Sequence, residues 1–308
     1  MDSFFRTIFT SEFAFSTIRV TTPILFAALG AIISDRAGAV NIGLEGIMLM
    51  SALAGVVFSA YTESAFIGLL GAVLIGFIFA SILAYFTLKL KTDVILGGIA
   101  LNFFADGATI FLLYYLTGDK GTSSSLASKT LPNIDLPIIQ NIPILGDIIS
   151  GHNILTYIAI IFTIGVWYML SKTSTGLRIK SVGENEDAAK SVGVNVMKTR
   201  YLAMALSGVF AGFGGAFLSM GYVSWFSRGM SAGRGWIALA AEAMGRGTVV
   251  GTALSSLLFG SADALANTLQ LLGIPSELIS TIPYITTVIG LLAYAINSTK
   301  KSKRRTRL

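Results

Sequence analysis

Residues 172–200 read KTSTGLRIKSVGENEDAAKSVGVNVMKTR, a polar island between two long apolar segments. Charge at this density is not tolerated in hydrocarbon, so the island marks an aqueous turn between two membrane crossings. Within it, the run GENEDAAKSVG predicts a short helix with marked ends. The side-chain oxygen of Asn185 can accept a bond from a free backbone N–H two or three residues on, as an N-cap does. Glu186 and Asp187 fall in the first turn, where the helix dipole favours negative charge. Gly193 suits the left-handed position just past the end. A brief capped helix at a membrane surface is suited to docking against a soluble partner.

Composition sets the class around it. The chain has 308 residues, 54% hydrophobic and 12% charged, with a mean hydropathy of +0.75, values foreign to soluble domains. Apolar runs of about 20 residues recur, the length that crosses roughly 30 Å of hydrocarbon as helix. The alternating segments of about 10 residues that build a membrane β-barrel are absent. With no cysteine and one histidine, no disulfide, thiolate metal site or Ser/His/Asp set is expected, nor is a GxxxxGK(S/T) phosphate loop present. No catalytic residue and no metal ligand is assigned. The net charge of +6 is not a nucleic-acid footprint, because much of the excess lies in a basic tail that the positive-inside rule explains.

Taken in order, residues 1–12 are too short and polar to span and lack the pattern of a removable signal peptide. A first span is expected over 13–33, with Arg19 snorkelling to the interface and Pro23 kinking the helix. The stretch GAVNIGLEG (38–46) reads as an unwound lead-in to a second span over 47–61. It either faces a wet path or forms a surface loop that caps the helix. Asn41 and Glu45, four apart, would share a helical face. Spans follow over 66–90, closed by Lys89 and Lys91, and over 94–116, where Asn102 and Asp106 repeat the spacing. A mid-span carboxylate points to function, a hydrogen bond between helices being the structural alternative.

Residues 118–152 form the longest loop, with Pro132, Pro137 and Pro143 and the sole His152, expected to be solvated or capping. A span over 154–170 leads to the island, whose Lys172, Arg178, Lys180, Lys190, Lys198 and Arg200 place it in the cytoplasm. Counting back from there puts the N-terminal end outside, while a further crossing at 34–46 or within 66–90 would reverse it. Residues 201–222 return outward, and 236–244 make only a half-span before Gly245-Arg246-Gly247. Its Glu242 either lines a path or pairs with Arg246 at i+4. Residues 249–272 span with Asp263 and Asn267, 282–296 return inward, and the tail 298–308 anchors near anionic membrane lipid. The sum is an all-α polytopic membrane protein of about eight to ten transmembrane helices, some broken or re-entrant, with a cytoplasmic coupling helix.

Asp187-Ala188-Ala189 followed by Gly193 resembles the EAA-xxx-G coupling loop of ABC importer permeases, with Asp in place of Glu. The wider run over 176–219 is similar to the branch that imports simple sugars, branched-chain amino acids and nucleosides. GAIISDRAGAVNIGLEGIMLMSALAG (30–55), GRGWIALAAEAMGRG (233–247) and LLFGSADAL (257–265) resemble its nucleoside-type members. The resemblance implies one permease domain over 1–308: spans within 13–117, an extracytoplasmic loop at 118–152, the coupling loop at 172–200 and the tail. It implies that Asn185, Glu186, Asp187, Ala188, Ala189 and Gly193 dock an ABC ATPase subunit, which holds ATP and Mg while this chain binds no cofactor.

It further implies a second related permease chain, an extracytoplasmic substrate-binding lipoprotein, and the cell membrane of a bacterium. Candidate path residues are Asn41, Glu45, Asn102, Phe103, Asp106, Trp236, Glu242 and Asp263. Phe103, Phe104, Trp225 and Trp236 are candidates to stack on a base; Asn41, Asn102 and Asp106 are candidates to bond ribose hydroxyls. Two alternatives stay open: a simple-sugar permease of the same class, and a secondary transporter driven by an ion gradient through Asp106, Glu45 or Asp263.

Overall fold

A computed structural model describes residues 10–137, 139–140, 142–270 and Ile285. The span expected over 282–296, apart from Ile285, and the tail 298–308 lie outside the described residues. The chain forms α1 (Ser11–Asp35), α2 (Leu44–Thr62), α3 (Ala65–Ala84) and α4 (Val94–Thr117). After the outer loop and its short α5 (Leu145–Ile149) come α6 (Ile154–Lys172), α7 (Ser174–Glu184) and α8 (Glu186–Ser191). Then follow α9 (Val196–Phe217), α10 (Arg234–Met244) and α11 (Val249–Gln270). Single π turns prolong α3 to Lys89 and α9 to Tyr222. Among the described residues, 7 helices are long and apolar enough to cross a membrane: α1, α2, α3, α4, α6, α9 and α11.

The starts are chemically marked. Thr10, Ser64, Asp93, Asn153, Thr173 and Asn195 each accept a backbone N–H of the first turn they precede, the role that short polar side chains fill at N-caps. α1 runs through Pro23 without a break. Arg19 lies with its guanidinium 4.9 Å from the ring centre of Tyr222, a cation–π seat in place of free snorkelling.

Small residues set the centre. α9 lies against α1, α2 and α3, and its face there carries Ser207, Gly208, Ala211, Gly212 and Gly215, all buried. A side chain on Gly208 would run into the carbonyl of Gly76 and the Cβ of Ala80 on α3. The two backbones therefore touch, which replaces in lipid the hydrophobic drive available in water.

Contacts also fix which ends of α1 and α2 lie at which face. Gly183, at the end of α7, lies against the backbone of Arg36 just past α1, so the C-terminal end of α1 shares a face with the basic coupling loop. At the opposite face, Phe15 stacks on His152 at 3.9 Å between ring centres, and Ser59 of α2 bonds Lys129 of the 118–153 loop. That loop is an ordered cap: Asn133–Ile134 pairs antiparallel with His152–Asn153, and Tyr157 Oη donates to the carbonyls of Ile134 and Ile149. Of the two expectations for His152, solvated or capping, the second is met: the ring is buried, with Nε2 2.9 Å from the carbonyl of Ile148 in the last turn of α5. Burial holds its pKa below the usual imidazole value.

The Gly76–Gly208 contact is testable. Gly208→Val overfills it and should cost about 1–3 kcal/mol, seen as a lower melting temperature of detergent-solubilised protein. Gly165→Ala, at a position with no neighbour within 4 Å, should leave the melting temperature unchanged.

Candidate functional site

The coupling loop folds as two helices where the sequence reading expected one. α7 is amphipathic and buries Ile179 and Val182. α8 follows with the expected cap: Asn185 Oδ1 accepts the Ala188 N–H at 2.9 Å, and Gly193 has φ +83°. Glu186 binds Lys190 at 2.5 Å and Arg200 of α9 at 2.9 Å; the bond from Lys190 first, then the Arg200 charge, hold its carboxyl below the usual carboxylate range. Ala189 is buried on Val182, Val194 and Val196. Asp187, Ala188, Val192 and Gly193 face outward. Beside them a cleft of 500 Å³ carries Arg178, Lys198, Thr175 and Asn195.

The second centre lies at membrane depth. Residues 36–43 turn back from the inner face, and α2 begins beside Asn102. From Val94 to Asn102 the rise along α4 is about 12 Å. A helix that starts there exposes backbone groups that lipid cannot satisfy. Asn102 satisfies two of them, accepting the Gly46 N–H at 2.8 Å and donating to the Ile42 carbonyl at 3.1 Å. Asn41 is fully buried, donates to Ser207 Oγ at 3.0 Å and accepts the Gly43 N–H at 3.1 Å. It does not open onto the groove described below.

α10 has the same difficulty at its N-terminal end. Its 11 residues reach about 16 Å, half a bilayer core. Glu45 of α2 covers the N-terminal end, Oε1 accepting the Gly233 N–H at 2.8 Å and Oε2 the Gly235 N–H at 2.7 Å. A Cβ on Gly235 would come within 2.5 Å of the Glu45 nitrogen, so only glycine allows the approach. Past the other end, near the inner face, Arg36 donates from Nε to the carbonyl of Gly247, three residues beyond Met244, at 2.6 Å, and from Nη2 to the same oxygen. An anion thus sits at the positive end of the helix dipole and a cation just past the negative end. Arg234 ties α10 to α11 through Asp263 at 3.0 Å. Glu242 is buried near the inner end, beside Asp35 and Arg36.

Five of the eight sequence-nominated path residues meet. Glu45, Asn102, Phe103, Asp106 and Trp236 line one groove of 380 Å³, with Leu49, Ile99, Ser231 and the 229–232 turn. Asn41, Glu242 and Asp263 lie elsewhere, in the packing and in the fastening of α10. Two features mark the groove as facing water or protein: irregular backbone at this depth requires it, and Asp106 is a mid-span carboxylate. Of the 7 spans, α4 is also the least enclosed.

A run of contacts joins the two centres. Glu186 of α8 binds Arg200, and Arg200 Nε donates to the Ala37 carbonyl at 3.2 Å. Arg36, the next residue back, holds the end of α10, whose other end is on Glu45 in the groove. Sequence reasoning did not single out Arg36, Arg200 or Arg234 for these roles, since each partner is far away in sequence. The one local hint was charge beside a glycine-rich helix break.

Comparison with known proteins places this geometry. Residues 13–292 match the family described as branched-chain amino acid transport system / permease component. The chain is 38% identical over 287 residues to the nucleoside ABC transporter permease protein NupC of Lactococcus lactis subsp. cremoris, covering 89% of each chain. It is 33% identical over 290 residues to the guanosine ABC transporter permease protein NupQ of Bacillus subtilis, covering 91% of this chain and 90% of that one. In fold it is similar to a transporter assigned as a metal-chelate type ABC transporter in an inward-facing conformation, with TM-score 0.50 and 18% identity, over 92% of this chain and 85% of that one. The chain belongs to this permease-component family: it is a multi-pass plasma-membrane subunit of an ABC transporter, a transport subunit rather than an enzyme, and the family implies an ABC ATPase as its partner.

Proposed function

We propose that the chain imports nucleosides, delivered by an extracytoplasmic binding lipoprotein, through a path it shares with a second related permease chain. The names of the two relatives support the substrate class. The unenclosed α4 face with its mid-span carboxylate supports a second chain, since that face needs a protein or aqueous neighbour. The observation that carries the mechanism is the unbroken set of contacts from α8 through Arg200 and Arg36 to α10.

The ATPase subunit holds ATP and Mg and supplies the nucleotide cycle; this chain supplies the lever. Closure of the ATPase pair displaces α8, Arg200 carries the displacement to the 36–38 turn, and Arg36 carries it to the inner end of α10. α10 then shifts against α2 and the groove changes its exposure from one face to the other. A secondary transporter has no use for a docked helix of this kind, so uptake should be blocked by vanadate and persist with an ionophore. Labelled uridine should be displaced by other nucleosides and not by ribose, the reverse order marking a sugar permease.

Two variants separate docking from transmission. Ala188→Arg, on the exposed docking face, should leave the permease folded while the ATPase subunit no longer co-purifies. Arg36→Gln should retain the ATPase subunit and ATP hydrolysis yet lower uptake by about tenfold or more, the scale of a typical coupling free energy. Undiminished uptake in Arg36→Gln would remove Arg36 from the transmission path.

A further inference from the structure

We propose that Asp106 reads the vicinal hydroxyls of the sugar, so that the groove selects ribonucleosides over their 2′-deoxy counterparts and over nucleotides. The inference rests on the nucleoside reading above and assigns the part of the molecule that each wall of the groove takes.

The assignment follows from which groups in the groove are already engaged. Both Glu45 oxygens accept backbone N–H groups of the α10 start. Both ends of the Asn102 amide are bonded to the α2 lead-in. The Asp106 carboxylate has no hydrogen-bond or ion-pair partner among the described residues, although it lines the same 380 Å³ space. An ionised carboxylate only accepts hydrogen bonds, with its two oxygens side by side. Its complement is a pair of adjacent donors, and the 2′- and 3′-hydroxyls of a ribose are such a pair.

The other walls agree. Phe103 and Trp236 expose their rings at the groove, giving flat apolar faces for a base. The volume is at the small end of ligand pockets, which run roughly 300–1,000 Å³. No lysine or arginine lines the groove, while Glu45 and Asp106 do. A phosphate would therefore meet carboxylates with no compensating cation, and desolvated like charges repel. Neutral nucleosides fit and nucleotides do not.

The test uses the complete transporter in proteoliposomes: permease pair, ATPase and binding protein. Labelled uridine, adenosine and guanosine identify the nucleoside carried fastest, which is then compared with its 2′-deoxy form. Wild type should prefer the ribonucleoside about ten- to a hundredfold, the worth of a hydrogen bond to a charged acceptor. Asp106→Ala should bring the ratio to within about twofold, and Asp106→Asn, which keeps size and one acceptor, should give an intermediate ratio. A wild-type ratio retained in both variants, or no preference in wild type, overturns the sugar-reading role while nucleoside uptake stands. Uptake of no nucleoside by wild type would instead remove the substrate reading beneath it.

Discussion

A helix that ends in the middle of a membrane leaves four amide N–H groups at one end and four carbonyls at the other, with no water to receive them. The N-terminal end of α10 is such an end, and Glu45 accepts two of its N–H groups, while Arg36 holds the turn just past the inner end. Each adds charge-assisted bonds worth roughly 1.5–3 kcal/mol apiece, and each sign matches the dipole end it lies near. The rest of the polar interior is secondary to this. Asn102 and Asn41 stabilise the unwound lead-in that positions Glu45, and Arg234 with Asp263 fixes the rotation of α10 against α11.

The same device explains why structure and transport share residues here. A rigid bundle would need only the glycine face that joins α3 and α9. A short helix fastened at both ends by side chains can move as a unit while its backbone groups stay satisfied, and its inner fastening lies one residue from the carbonyl that Arg200 holds. The groove at its outer end is lined by the carboxylate that fastens it and by Trp236, the third residue of α10. Motion at the coupling loop and shape at the groove are therefore linked by few, short and charged contacts.

Much of this was legible beforehand. Span positions followed from apolar run length, and the α8 cap from Asn185 and Gly193, because those signals are local. The half-span was visible as 236–244 bounded by glycines. The partners of the polar residues lie far off in sequence: Glu45 with Gly233, Arg36 with Gly247, Asn41 with Ser207. Spacing along one helix says nothing of such pairings, so Asn41 read as a possible path residue when its bonds hold the α2 lead-in to α9. α7 escaped notice because a polar amphipathic helix of 11 residues resembles loop composition. The burial of His152 is not legible in the sequence, because the loop around it gives no sign of folding into a cap.

The lever depends on the fastening of α10, and amide hydrogen exchange measures that directly. In wild type, the amides of Gly233 and Gly235 should exchange slowly, and in Glu45→Ala they should exchange much faster while the amides of α3 and α9 keep their wild-type rates. Equal exchange at Gly233 and Gly235 in the two proteins would show that Glu45 does not hold the half-helix, and the lever built on it would be wrong.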